Sequence, residues 1–296
     1  MKERLIVGLG EVLWDMLPEG KKIGGAPANF AYHVGQFGLP SLAVSAIGDD
    51  PLGQETRAAL EAKGLSSLLV TVPYPTGTVG VTLDAAGVPT YVIHEGVAWD
   101  NLPLTDELRQ VAGRCRAVCF GSLAQRSATT RATIRQFLAL TPDHCLKVFD
   151  INLRGHFYTP ERLKESMHAC DILKINDEEL VLVSRMLEYT GLDLKEQCRK
   201  LIGAFGLRML VLTCGTNGSY VFTAEGGASY RPTPRVTVAD TVGAGDSFTG
   251  AFCAAILGGR SVEEAHYLAV DVSAYVCTQA GAMPTLPAGL TAGLKS

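Results

Sequence analysis

Asp240-Thr241-Val242-Gly243-Ala244-Gly245-Asp246-Ser247-Phe248 decides the reading of this chain. Three small residues precede an acidic one, and a helical pattern follows. Phe248, Ala251, Phe252, Ala255 and Ile256 recur on one face, and Gly258-Gly259 ends the run. The Gly243-Ala244-Gly245 turn therefore opens a helix and points unpaired N–H groups and the positive end of the helix dipole at one spot. That spot suits an anion. A fixed carboxylate at Asp246 would repel the anion unless it has a chemical task, such as accepting the proton of a hydroxyl that attacks phosphorus. A bare GAGD would read as a capped turn; the full nine residues, placed late in a 296-residue chain, favour function.

Working outward, Gly24-Gly25-Ala26-Pro27-Ala28-Asn29-Phe30-Ala31 is the second informative stretch. Its glycine pair allows close backbone approach to a ligand. Pro27 suits the first helical position, and Phe30, Ala31, Val34 and Phe37 form a buried face before Gly38-Leu39-Pro40. Asn29 then lies inside the helix rather than at its cap. Upstream, residues 5–10 read as a buried strand. Gly8-x-Gly10 invites a dinucleotide site, but Leu13 stands where the third glycine belongs. Asp15 interrupts an apolar extended segment, where a carboxylate can accept from sugar hydroxyls.

Residues 42–47 read as a strand, followed by a helix capped by Asp50 with Pro51 at its first position. Two period-two segments, 78–83 and 90–93, flank the turn Asp84-Ala85-Ala86-Gly87. With 11–23 they form a small sheet, expected as a lid over the site or a pairing surface for a second copy. Trp99 at its edge is a core residue or a platform for a sugar ring. After 105 the pattern alternates, with strands at 116–120, 146–150, 172–176 and 209–213 and helices at 129–140, 160–169, 177–188 and 194–205. This predicts an α/β fold with a mostly parallel sheet flanked by helices. Three further edge strands are expected at 219–223, 228–231 and 235–239. The predicted division is a core of 1–10, 25–70 and 98–296 carrying the candidate site, and a discontinuous lid of 11–24 and 71–97. Ligands bind beyond the carboxyl ends of such strands, where Asp150-Ile151-Asn152-Leu153-Arg154, Lys174-Ile175-Asn176 and Thr213-Cys214-Gly215 stand.

Composition narrows the classes. Hydrophobic residues make up 47%, enough for a full core, and the formal net charge is −4 with Lys21-Lys22 the densest short basic pair near a site. Nucleic-acid and membrane partners are disfavoured. Eight cysteines form no C-x-x-C pair and sit mostly in apolar runs, which predicts a reduced, cytoplasmic enzyme. There is no Walker A sequence and no G-x-S-x-G elbow.

The two signatures resemble those of the ribokinase-like (PfkB-type) carbohydrate kinases. GxDxxG at 48–53, DINLR at 150–154, NDEE at 176–179, TCGTNG at 213–218 and QAGA at 279–282 extend the similarity over nearly the whole chain. GGAPAN with DINLR resembles the fructokinase branch. The resemblance implies a ribokinase-like fold with a small β-sheet lid and ATP-dependent phosphorylation of a sugar's primary hydroxyl. It implies Asp246 as base and the N–H groups of Gly243, Ala244 and Gly245 as anion hole. It places Asp15, Gly25, Asn29 and Arg154 on the sugar side, and Lys174, Asn176, Thr213, Gly215 and Gly218 on the nucleotide side. Glu179 would hold a water of the Mg²⁺ shell, and Asp240 would lie near a monovalent cation such as K⁺. One departure is Val270, where ribokinases carry an Asn next to adenine. Alternative acceptors are 2-keto-3-deoxygluconate, ribose and nucleosides; a non-catalytic sugar sensor on the same fold is the reading from another class.

Overall fold

Strand β1 (Leu5–Leu9) is apolar along its whole length, as a strand covered on both faces must be. A small-sheet hairpin follows, β2 (Leu13–Leu17) and β3 (Gly20–Gly24). Helix α1 (Ala26–Gln36) runs back to β4 (Ser41–Gly48), and α2 (Pro51–Ala62) leads to β5 (Ser67–Val72). The chain then returns to the small sheet with β6 (Thr78–Leu83) and β7 (Pro89–Ile93). From there strand and helix alternate: α3 (Asp106–Ala112), β8 (Cys115–Gly121), α4 (Ala128–Leu140), β9 (Leu146–Asp150), α5 (Pro160–His168), β10 (Ile172–Asn176). Next come α6 (Asp177–Met186), α7 (Leu194–Phe205), β11 (Met209–Thr213), β12 (Ser219–Thr223) and β13 (Ala228–Arg231). Helices α8 (Ala244–Leu257) and α9 (Val262–Cys277) follow, and the short α10 (Ala288–Thr291) comes last. This computed structural model describes residues 4–17, 20–83, 89–189 and 191–292; the turn read at 84–87 lies outside them.

The large sheet has nine strands in the order β13-β12-β11-β10-β9-β8-β1-β4-β5. Seven neighbours, β11 through β5, are parallel, and β12 and β13 add an antiparallel edge. Successive strand residues face opposite layers. Val7 and Leu9 enter the core with Ile134, Phe137, Leu180 and Leu201, while Ile6 enters the other with Phe30, Phe37, Phe248 and Phe252. The parallel strands connect through helices on both faces, which is the predicted α/β arrangement.

The small sheet runs β3-β2-β6-β7. Its register aligns Asp15, Val79 and Ile93 in one row and Met16, Gly80 and Val92 in the next. Adjacent rows face opposite sides of a sheet. Val79 is 6% exposed, whereas Met16 and Val92 are above 40%, so Asp15 shares the covered face and Met16 the outer one.

Two expectations change, and for Trp99 the core reading holds. Residues 235–239 form no strand. Val236 and Val238 are exposed, and Pro232 and Pro234 remove two ladder donors just upstream. Pro27 is the second helical residue, since α1 starts at Ala26 behind the cap Gly25. Trp99 is 1% exposed and lies in the core against the Arg126 guanidinium, 4.1 Å from its ring centroid, not open to a sugar.

Candidate active site

Helix α8 begins at Gly243, the N-cap, with φ 78°. A side chain there would be strained, and its Cβ would come within 2.7 Å of Ala282. Asp246 lies in the first turn, and Ser247 N–H returns to the Gly243 carbonyl at 2.8 Å. The Ala244 N–H makes a long 3.3 Å bond to the Thr241 carbonyl. Asp240 braces the loop: its Oδ1 accepts from Val242 N–H (3.0 Å) and its Oδ2 from Gly281 N–H (3.1 Å), which ties the turn to the 279–282 stretch.

Helices α1 and α8 approach closely because Gly250 has no side chain; a Cβ would meet His33 Cβ at 3.0 Å and the Phe30 carbonyl oxygen at 3.1 Å. One turn away, Asn29 Nδ2 donates to Asp246 Oδ2 at 2.7 Å. Burial pushes the Asp246 carboxyl up to about 6, with Asp150 adding repulsion, while Asn29 and Lys174 pull the other way. The two glycine signatures thus meet at one carboxylate.

Lys174, on β10, pairs with Asp150 at the end of β9 at 3.1 Å, and both side chains are 10% exposed or less. Asp150 Oδ2 also accepts from Thr249 Oγ1 of α8 at 3.0 Å. Burial alone would lower the Lys174 pKa, but the charges of Asp150, Glu179 and Asp246 outweigh it and raise the value. A Cβ on Gly245 would stand 2.9 Å from Lys174 Nζ. A fixed ammonium and a helix N-terminus therefore converge, which strengthens an anion site.

Asn176 caps α6 in a reciprocal capping box: its Oδ1 accepts from Glu179 N–H (2.8 Å) and Glu179 Oε2 accepts from Asn176 N–H (2.9 Å). Glu179 Oε1 accepts from Leu153 N–H at 2.8 Å, reaching into the 150–154 loop. Burial raises the Glu179 pKa against the pull of Lys174. In that loop Asn152 holds φ 39°, unusual for a non-glycine residue, and Arg154 Nη1 donates to the Leu153 carbonyl at 2.9 Å. Arg154 acts electrostatically on both Asp246 and Glu11.

Thr213, Gly215 and Gly218 occupy the end of β11 and the turn after it, where Thr233 Oγ1 accepts from Gly218 N–H at 3.1 Å. Thr213 pairs in register with Asn176. This loop shares the sheet's carboxyl edge with Asp246 but makes no hydrogen bond to it among the described residues. Asp15 lies on β2 opposite Lys22, and burial raises its pKa against Lys22. Gly25 backs the segment before β2; a Cβ on it would meet the Glu11 carbonyl oxygen at 2.3 Å.

Sequence reasoning assigned no role to Asp150, Thr249 or Glu11. The available signal was a carboxylate at or just beyond the end of a buried strand: Asp150 ends β9 and Glu11 follows Gly10 after β1. Burial and partners, which reveal their importance, come from the fold.

The family model for the pfkB family of carbohydrate kinases matches residues 19–289. A fructokinase of Salmonella typhimurium is 28% identical over 94% of this chain and 95% of its own. An ATP-dependent 6-phosphofructokinase of Thermoanaerobacterium thermosaccharolyticum is 27% identical over 95% and 90%. Among solved structures, a sugar kinase of Pyrococcus horikoshii superposes with TM-score 0.80 at 27% identity, over 94% of this chain and 93% of its own. A fructokinase of Xylella fastidiosa reaches TM-score 0.84 at 22% identity, over 99% and 98%, and supports the ribokinase-like fold. The glycine-signature turn, its carboxylate and a family match over nearly the whole length agree: the chain is a sugar phosphotransferase of the pfkB family of carbohydrate kinases.

Proposed function

We propose that this enzyme transfers the γ-phosphoryl group of ATP to the primary hydroxyl of a neutral sugar, with fructose the leading acceptor. The observation that carries the reading is the Asn29–Asp246 hydrogen bond, which joins the two signature segments at the reacting carboxylate. Asp246 accepts the hydroxyl proton as the new P–O bond forms. Asn29 orients that carboxylate and presents it to the sugar. The α8 N-terminus and Lys174 hold the phosphoryl oxygens. Thr213, Gly215 and Gly218 receive the nucleotide on the neighbouring strand end. Gly25 and Asp15 line the sugar side, Asp15 from the small sheet that covers it. An ATP-bound sugar kinase of Pyrococcus horikoshii, 26% identical, supports the nucleotide.

Mg²⁺, when bound, neutralises charge on the phosphates and keeps several waters. Glu179 fits the task of holding one of them, because each of its oxygens has a second lone pair beyond the N–H it already accepts. For a monovalent cation, Asp240 stands beside the anion turn and braces its loop against the 279–282 stretch, each of its oxygens accepting one N–H group and keeping, like those of Glu179, a second lone pair.

We propose further that two copies pair through the outer face of the small sheet, where Met16 and Val92 are exposed. Light scattering that finds a monomer at micromolar concentration overturns the pairing. The acceptor is tested by ATP-coupled assay over ketoses, aldoses, 2-keto-3-deoxygluconate and nucleosides. Turnover highest with fructose bears the reading out; a tenfold preference for another acceptor replaces it.

A further inference from the structure

Glu11 lies two residues beyond the end of β1, 3% exposed, and its Oε2 meets no hydrogen-bond partner among the described residues and no solvent. Buried polar atoms are rarely left unpaired, and each exception calls for an explanation, such as a catalytic role or a group that completes it. Two more such atoms belong to the same neighbourhood. Asn29 Oδ1 is orphaned although its Nδ2 binds Asp246. Arg126 Nη1 is orphaned although the rest of its guanidinium is committed: Nε and Nη2 hold Asp100 at 2.8 and 2.9 Å, and Trp99 and Phe157 stack at 4.1 and 4.6 Å. Asp246, Arg154 and Arg126 all act on Glu11 through their charge.

The charges around this corner do not balance in favour of an anion. Lys174 is paired with Asp150, Arg126 with Asp100, and Lys22 faces Asp15. Arg154 acts on both Glu11 and Asp246, with Arg126 adding to it at Glu11 and Lys174 at Asp246, so these four cations face the five carboxylates of Asp15, Asp100, Asp150, Glu11 and Asp246. A substrate carboxylate or phosphate here would add another negative charge to that excess of carboxylates. A hydroxyl behaves differently, because it donates to a carboxylate and accepts from a carboxylic acid. Burial pushes Glu11 up to about 7, so both forms are present near neutral pH and a hydroxyl matches either.

We infer that Glu11 is a specificity-determining residue of the sugar site, which takes a hydroxyl of a neutral polyhydroxy sugar and excludes sugars carrying a carboxylate or phosphate at that end. The inference rests on the sugar-kinase reading of the Asp246 site and names what that site selects.

The test compares full-length wild type with Glu11→Gln and Glu11→Asp, using fructose, 2-keto-3-deoxygluconate and fructose 6-phosphate as acceptors. In Glu11→Gln, KM for fructose rises about tenfold while kcat stays within about threefold, and the neutral-over-anionic ratio of kcat/KM falls about tenfold. Glu11→Asp keeps the charge and keeps that ratio. A folded Glu11→Gln with an unchanged ratio overturns the inference, and so does a wild type that uses either anionic sugar as well as fructose. If Glu11→Gln does not fold, the wild-type ratio decides alone. If wild type turns over none of the three, the kinase reading of the site falls; calorimetric binding of fructose against the two anions then still decides Glu11, with parity overturning its role.

Discussion

Asn29 and Asp246 are 217 residues apart in sequence and 2.7 Å apart in space. The contact depends on α1 and α8 closing over Gly250, and it converts a helix-start carboxylate into an oriented acceptor. Removing the charge while keeping the shape isolates its role. Asp246→Asn lowers kcat by about a thousandfold while calorimetry still detects ATP and sugar binding. Turnover within tenfold of wild type would remove Asp246 from the role of base.

The pH dependence follows from the same carboxyl. Burial, then Asp150, raises Asp246 to about 6, and turnover needs its ionised form. Turnover therefore falls as pH drops through about 6. Asn29→Ala removes the bond that favours ionisation, so the acidic limb of the pH–rate profile moves to higher pH. The stability effect has the opposite sign. A carboxyl whose folded pKa is raised binds its proton more tightly in the folded state, so stability declines as pH rises from its ordinary range through 6. Asp246→Asn escapes that decline, and its Tm at pH 7 relative to pH 5 should exceed that of wild type.

Lys174 and Asp150 form a pair almost closed to solvent. Lys174→Met leaves Asp150 buried and uncompensated, at a cost of about 3–5 kcal/mol in urea unfolding. The double variant Lys174→Met/Asp150→Asn costs less than the sum of its parts. Additive losses would mean the two groups do not stabilise each other.

Glu179 joins α6 to the 150–154 loop through N–H groups of Asn176 and Leu153. Glu179→Ala removes both acceptors and costs about 1–3 kcal/mol of stability. It also releases the loop carrying Arg154, and kcat/KM falls with a higher Mg²⁺ concentration at half-maximal rate. A Mg²⁺ titration that overlays wild type would leave Glu179 with the structural part alone.

Gly243→Ala forces a Cβ against Ala282 at a residue with φ 78°. The strain costs about 1–3 kcal/mol, and it moves the α8 N-terminus against Asp246. Activity measured well below the variant's Tm should fall more than its loss of folded protein explains.

Much of the fold was legible because its signals are local. Apolar runs followed by helical periodicity located β8 to β11 and the helices between them, and Asp50-Pro51 marked a helix start that the cap reproduces. The strand read at 235–239 failed for a physical reason: alternation suggests a strand, but only a neighbouring edge with matching donors makes one.

The sequence by itself determined the family, the parallel α/β order and the glycine turn that ends at Asp246, since each is set by neighbours a few residues apart. Only the tertiary structure decided which groups share a desolvated corner. It set Asn29 on Asp246, gave Lys174 both Asp150 and the edge of Gly245, and left Glu11 buried beside them with no partner for Oε2 among the described residues. Those relationships arise from helices packing across the sheet, and burial and charge then shift each pKa in ways that no stretch of sequence carries alone.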